Sequence, residues 1–556
     1  KLITTYAVCY NPPMRTPKEG IEHYHESTKH HPNRYARSAG FLDWASEPDP
    51  YRRYEDAPLT RLPLSNKDPA GTYPDLFDRK KIEIRPFSPG NISSFMELSL
   101  GLSAWKSYGG NSWALRMNPS SGNLHPVEGY LVLPPLPDDR LSGGVYHYSP
   151  FFHGLEMRAA IDDAFWSRIR RGFPDGFFTG LSCIHWRESW KYGERAFRYS
   201  HLDMGHAVAA VSFSAALLGW MVTYLNALSD HDVETVLGFT KTQWREFEGE
   251  EAGPLLFVHR VGEMAVPRGL SPDIISSFES LSFEGRPNRL SSRHRDWSVI
   301  DDVSAHTIKP ATQEEAYRFG DHSLIARPSV PFTAVEVIRK RRSALAFDTK
   351  AALAKDDFFD ILDRTIPRLD CAPFDAEIGR TSVHLLIFAH QIIGLEPGLY
   401  FLDRGETGVE EIKQKCRPGV LWKKTPHAPE ALPLYLLEPG DFRSIAPRTS
   451  CDQDIAGDGA FAIAMIAEFR NIIERQPHRY RHLHWEAGMI GQVLYLAAEA
   501  HGMRGTGMGC FFDDTVHDLL GFRDNAYQDI YHFGAGKPVE DARIATLPPY
   551  HHLNRQ

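Results

Sequence analysis

Arg198-Tyr199-Ser200-His201-Leu202-Asp203-Met204-Gly205 has a counterpart much later in the chain, Arg479-Tyr480-Arg481-His482-Leu483 followed by Glu486-Ala487-Gly488. Upstream, Gly144-Val145-Tyr146 is echoed by Gly398-Leu399-Tyr400. Downstream, Val236-Leu237-Gly238-Phe239 is echoed by Leu519-Leu520-Gly521-Phe522. Four weak echoes in the same order read as a tandem duplication. Two copies of one α+β fold can then pack within a chain as two subunits pack in a homodimer, which makes a monomer sufficient.

Each copy of the Arg-Tyr motif leads into an apolar run. The first, from Ala207 to Leu225, is nearly uncharged and long enough to span a bilayer. Its counterpart carries Gln492, Glu499 and His501, and no basic cluster flanks the first run. A helix buried on all sides of a large core is therefore expected, with no membrane insertion.

The rest of the composition agrees with a large globular protein. At 556 residues the chain needs more than one core, with 42% hydrophobic and 24% charged residues. A net charge of −9 leaves no basic footprint for nucleic acid. Six cysteines lie scattered without a C-x-x-C pair, against both a disulfide framework and a zinc site. His23, His25, His30 and His31 lack partners at ligand spacing, so no metal is expected. Lys1–Thr5 shows no signal pattern, and the expected compartment is the cytoplasm.

Four segments are expected: an extension over residues 1–78 packed on the first domain, a first domain over 79–265, a linker over 266–330, and a second domain over 331–556. Ser93–Trp105 reads as an amphipathic helix and Glu128–Leu133 as a buried strand. A further strand is expected near Gly144–Tyr148, then a helical stretch to about Arg171, and a strand at Leu255–Val258. Ser, Pro, Arg and Asp dominate the linker, with little to bury.

Two stretches carry candidate chemistry. Pro119-Ser120-Ser121-Gly122-Asn123-Leu124-His125-Pro126 enters the strand with two hydroxyls, an amide and a glycine. Alone, it reads either as a Ser/Gly turn or as a loop that hydrogen-bonds a planar polar ligand. Arg339-Lys340-Arg341-Arg342-Ser343, with Phe347-Asp348, opens the second copy. It reads either as a solvated basic turn or as a phosphate cradle.

Together these motifs resemble the FMN-dependent nitroreductase superfamily, in particular its SagB-type (thiazole/oxazole-forming) dehydrogenase branch. The resemblance covers about residues 80–265 and 330–545. It implies two tandem nitroreductase-like α+β domains, each a central antiparallel or mixed sheet flanked by helices. Arg341, Arg342 and Ser343 look like the family's phosphate motif, and Pro119, Ser120, Ser121 and Asn123 like its Pro-Ser-Ser-x-Asn loop. Lys191-Tyr192 resembles the branch's Lys-Tyr element, a candidate catalytic base. Gly509, Cys510 and Phe511 sit where the family touches the flavin ring, and Arg543 where a late basic residue approaches the phosphate.

The two copies have lost complementary parts. Arg79–Pro86 does not fit the arginine-serine opening, and Phe374–Arg380 replaces the Ser-Ser-Asn loop. In this family two subunits share each flavin, so the resemblance implies one composite site and one FMN per chain. A hydride would pass between substrate and flavin, with one of Lys191 and Tyr192 lowered in pKa to act as a base. The substrate implied is an azoline in a peptide or related small molecule. The alternatives are a nitro- or quinone reductase with NAD(P)H as reductant, and a non-catalytic flavin-binding or docking protein.

Overall fold

A computed structural model describes residues 15–64, 67–136, 141–260, 266–313, 317, 319, 330, 332–405 and 408–553. Two seven-stranded sheets carry the fold. The first runs, edge to edge, Leu59–Arg61, Gly154–Ala160, Gly144–Ser149, Val127–Leu133, Gly176–Cys183, Glu251–Arg260, Trp220–Tyr224. The second runs Lys423–Lys424, Leu434–Pro439, Gly398–Leu402, Val383–Ala389, Phe461–Glu468, Tyr527–Gly536, Arg504–Met508. Position by position these are the same sheet, and their ladders are antiparallel. The Gly-Val-Tyr and Gly-Leu-Tyr echoes open the third strand of each, and the same register shift follows, at Val145/Tyr146 and Leu399/Tyr400.

The other echoes also have local causes. Gly238 and Gly521 close short helices in the left-handed conformation, at φ 80° and 81°, which an L side chain resists. The Arg-Tyr motifs begin two helices of 22 residues each, Ala196–Leu217 and Arg479–Ala500. These helices lie against each other, and every residue of the first is buried. One apolar core runs across both halves around them, from Leu202, Val208 and Phe213 to Trp485, Met489 and Val493. Each sheet covers its other face with a smaller cluster of its own.

Several local expectations differ from the structure. The apolar run Ala207–Leu225 is part helix and part strand, broken at Leu218-Gly219 before Trp220–Tyr224. Among the described residues no helix is long and apolar enough to cross a membrane. The helix expected at Ser93–Trp105 is Pro89–Leu100, capped by Ser88 Oγ. Beyond Gly101 the chain turns into a hairpin, Leu102–Tyr108 with Asn111–Arg116. Its first strand, Leu102–Tyr108, also pairs with Ala545–Leu547 and so becomes the middle of a three-stranded sheet. The stretch expected to be helical up to Arg171 begins with the strand Gly154–Ala160 and is helical only over Asp163–Ile169.

The terminal and linking segments are more involved than their composition suggests. Leu59–Arg61 does add a strand to the first sheet. The helix Pro17–Ser27, however, also reaches the second half, where His25 meets Tyr480 Oη at 3.2 Å and Gln528 Oε1 at 2.9 Å. Within 266–313 the helix Pro272–Glu279 buries Ile274 and Phe278, and Ser298–His306 buries Ile300 and Val303. Few apolar residues are present there, but nearly all of them are used as anchors.

Candidate active site

A cavity of about 630 Å³ opens between the two halves. That is within the usual size of small-molecule sites. One wall is the Ser-Ser-Gly-Asn loop with Asp203 and His206. The opposite wall carries Arg341, Arg342, Ser343, Tyr495, Gly507 and Gly509, and the hairpin contributes Lys106 and Trp113 at the rim.

The loop is wound tightly. Gly122, Asn123 and His125 all take positive φ, at 59°, 62° and 53°. The cost of that backbone is met by local bonds. His125 N–H donates to Ser120 Oγ at 2.8 Å, Asn123 Nδ2 donates to the Ala114 carbonyl at 2.9 Å, and Asn123 Oδ1 lies 2.9 Å from His125 Nε2. Lys191 and Tyr192 pack against its tip: a Cβ on Gly122 would stand 2.6 Å from Tyr192 Oη and 3.0 Å from Lys191 Nζ.

Beneath the loop lies a carboxyl pair that its sequence spacing did not reveal. Asp203 accepts from Ser121 N–H at 3.1 Å and Ser121 Oγ at 3.2 Å, and it faces the cavity. Glu188 is fully buried against it. Burial, and then the neighbouring Asp203 charge, push Glu188 well above the usual carboxylate range. Burial likewise pushes Asp203 up to about 7, although Ser120 and Ser121 donate to it. Both carboxyls are thus held above the ordinary carboxylate range, and the Asp203 charge disfavours the charged form of Glu188. In the second half the equivalent Glu486 accepts from Ser382 N–H at 2.9 Å but is neutralised by Arg404 at 2.7 Å. Among the described residues the second half therefore sets an arginine against this carboxylate, where the cavity side sets a second carboxyl.

The opposite wall is cationic. Arg341 donates to the Met117 and Arg116 carbonyls, both at 2.9 Å, and so ties the second half to the lead-in of the loop. Arg342 donates to the carbonyls of Arg339, Arg341 and Ser103, and Lys106 to Thr546 Oγ1. Among the described residues no carboxylate forms an ion pair with Arg341, Arg342 or Lys106. Burial, then Arg341 and Arg504, lower Arg342 to about 10. Charges crowded in this way favour an anion between them. Ser343 Oγ meets Tyr495 Oη at 2.9 Å, and Tyr495 Oη accepts from Gly507 N–H at 2.8 Å. Side chains are excluded here: a Cβ on Gly507 would overlap Tyr531 Oη, and one on Gly509 the Tyr199 ring.

Of the residues expected from sequence, Pro119, Ser120, Ser121, Asn123, Arg341, Arg342, Ser343 and Gly509 line this cavity. Cys510 and Phe511 stand behind its wall, Phe511 stacked on His532 with ring centroids 4.7 Å apart. Arg543 turns away, exposed, its guanidinium on Asp541 at 2.7 Å, and Arg504 and Lys106 occupy the basic rim instead. Burial and then Glu188 push the Tyr192 hydroxyl up, opposite to the lowering expected of a base. The nearby cation Arg195 is engaged with Asp513 at 2.9 Å. The counterpart of the loop, Phe374–Ala376, is buried in the shared core, where Asp375 accepts from Ser212 Oγ and Val222 N–H.

Fold and cavity define a nitroreductase-like α+β architecture built in duplicate. The profile of the Nitroreductase family matches residues 112–245 and 338–537, and the chain belongs to that family. A Methanocaldococcus jannaschii protein described as a nitroreductase is 25% identical over 126 residues, 21% of this chain. The match spans 62% of that relative's length. A crystal structure of a nitroreductase-like protein from Anabaena variabilis superposes with a TM-score of 0.65 at 22% identity, over 95% of this chain and all of the other. A nitroreductase-like structure from Exiguobacterium sibiricum in complex with FMN matches 41% of this chain and 92% of its own, at 14% identity and a TM-score of 0.21, too weak to carry an argument. Nitroreductase family members commonly bind FMN.

Proposed function

We propose that the chain is an FMN-dependent oxidoreductase with one composite flavin site, and that it dehydrogenates an azoline, in a peptide or a related small molecule, to the azole. The observation that carries the flavin reading is Arg342 and Lys106, neither ion-paired with a carboxylate among the described residues, facing the Ser-Ser-Gly-Asn loop across one cavity. Arg342, Lys106 and Ser343 would hold the phosphate. The loop from one half, and Gly507 and Gly509 from the other, would flank the ring. Bound there, FMN would supply hydride transfer at its ring.

The chain's own part in the reaction is to orient the substrate and to take a proton. Asp203 is the group best placed for the proton, because it faces the cavity and is half-ionised near neutral pH. Lys191 lies beside Glu188 and offsets the charge of the pair. Lys191 and Tyr192 then act by closing the loop tip. This acid–base pair favours dehydrogenation, which must remove a proton along with the hydride, over simple reduction by NAD(P)H.

The test is to identify the flavin in purified protein and then mix it anaerobically with a thiazoline peptide, NADH or NADPH. Bleaching by the peptide and not by nicotinamide is expected. Rapid bleaching by NAD(P)H without azoline turnover would establish the nitro- or quinone reductase reading instead.

A further inference from the structure

Two partly exposed cysteines from distant segments meet behind the Gly509 wall. Cys451 Sγ and Cys510 Sγ lie 2.7 Å apart. The loops that carry them are fixed to each other. Gln453 Nε2 donates to both the Ser450 carbonyl at 2.7 Å and the Cys510 carbonyl at 2.9 Å, and Phe512 N–H donates to the Thr449 carbonyl at 2.9 Å. Cys451 and Asp452 are held at φ 54° and 55°, a backbone that side chains adopt only under constraint. Arg195 donates to the adjacent Gly509 carbonyl, and its guanidinium lies 4.7 Å from the Phe511 ring centre.

We propose that Cys451 and Cys510 form a redox-active dithiol that exchanges with low-molecular-weight disulfides of the glutathione class. Cys510 is the attacking thiol. A hydrogen bond from Cys451, with His30 and Arg195 nearby, lowers it to about 5, while the same bond pushes Cys451 up. Partial exposure beside a cation is the setting in which a thiolate reacts. Cys416 provides an internal contrast. It is also partly exposed, but burial pushes it up to about 11.

The chemistry balances without a further reactant. Cys510 thiolate attacks one sulfur of the small disulfide, whose S–S bond breaks to release one thiolate and leave a mixed disulfide on Cys510. Cys451 then gives up its proton and attacks Cys510 Sγ, expelling the second small thiol. The protein dithiol is oxidised to a disulfide, and one small disulfide is reduced to two thiols. Because Cys510 adjoins Gly509, the redox state of the pair would alter one wall of the cavity.

The experiment uses the full chain equilibrated over a series of reduced-to-oxidised glutathione ratios, acid-quenched, alkylated and mapped by mass spectrometry. A Cys451–Cys510 cross-linked peptide should grow with oxidation and disappear with dithiothreitol, while Cys416 remains alkylatable. In Cys451→Ser a glutathione adduct should accumulate on Cys510. In Cys510→Ser no comparable adduct should form on Cys451. Absence of the cross-link at every ratio in the unaltered protein, or adducts on Cys416 in preference to Cys510, would overturn the proposal.

Discussion

Gly205 and Gly488 face each other where the two core helices cross. A methyl group on Gly488 would overlap the Leu202 carbonyl and stand 2.9 Å from Gly205 Cα. One on Gly205 would overlap the Trp485 carbonyl. The two glycines are also the last members of the repeated Arg-Tyr motifs. The motif therefore marks the contact by which the two copies join.

Gly205→Ala and Gly488→Ala are each expected to destabilise the protein by about 1–3 kcal/mol, because neither backbone has room to move apart without opening the shared core. Urea unfolding measures this. Gly90→Ala is the control, since nothing lies near its Cβ position in the helix Pro89–Leu100, and it should leave stability unchanged or raise it by up to about 1 kcal/mol.

Asp513 joins three parts of the chain. It takes Arg195 at 2.9 Å, Arg198 at 2.7 Å and the His30 N–H at 2.8 Å, all buried. Asp513→Ala leaves two buried guanidinium groups without their anion and should cost roughly 3–5 kcal/mol. A thermal melt close to that of the unaltered protein would contradict the assignment.

Asp203 makes stability depend on pH in a defined direction. Its folded-state pKa of about 7 lies above the ordinary aspartate value, so the folded protein binds the proton more tightly than the unfolded chain. That stabilisation is complete below the unfolded pKa and is lost as pH rises through about 7. Asp203→Asn should flatten the decline of stability over that window, as followed by denaturant titrations at several pH values. An unchanged slope would remove the acid pair from the account.

In the proposed site the flavin phosphate would rest on Arg342 and Lys106 rather than Arg543. Removing one charge-assisted bond is worth roughly 1.5–3 kcal/mol. Arg342→Ala should therefore weaken FMN binding by about tenfold to a hundredfold. Arg543→Ala should bind FMN like the unaltered protein, because its guanidinium is exposed on Asp541. Fluorescence titration of the flavin-free proteins distinguishes the two, and the reverse order would restore Arg543 to the site.

Much of this architecture was legible because duplicated sequences keep what their fold requires locally. Gly238 and Gly521 persist as helix caps, Gly205 and Gly488 as a crossing, and the Gly-x-Tyr pairs as the same strand of each sheet. The hairpin Leu102–Tyr108 was not legible, since its pattern continues that of the preceding helix and its partner strand, Ala545–Leu547, is remote. Nor was the acid pair. Glu188 and Asp203 lie on different helices, separated by a turn at Gly193, and no spacing rule brings them together. Lys106 and Arg504 reach the rim from a hairpin and a strand that only the joined halves bring near each other. The loop at Pro119–Pro126 and the cluster at Arg341–Ser343 were each ambiguous alone. Their meeting across one cavity is what the three-dimensional structure adds.

The central claim is that complementary losses leave one flavin site in two copies of the fold. The direct measurement is the flavin-to-protein ratio of a fully reconstituted, gel-filtered sample. A ratio near one is predicted, because Phe374–Ala376 fills the position of the missing loop. A ratio near two, with flavin against Phe374–Arg380, would contradict the account.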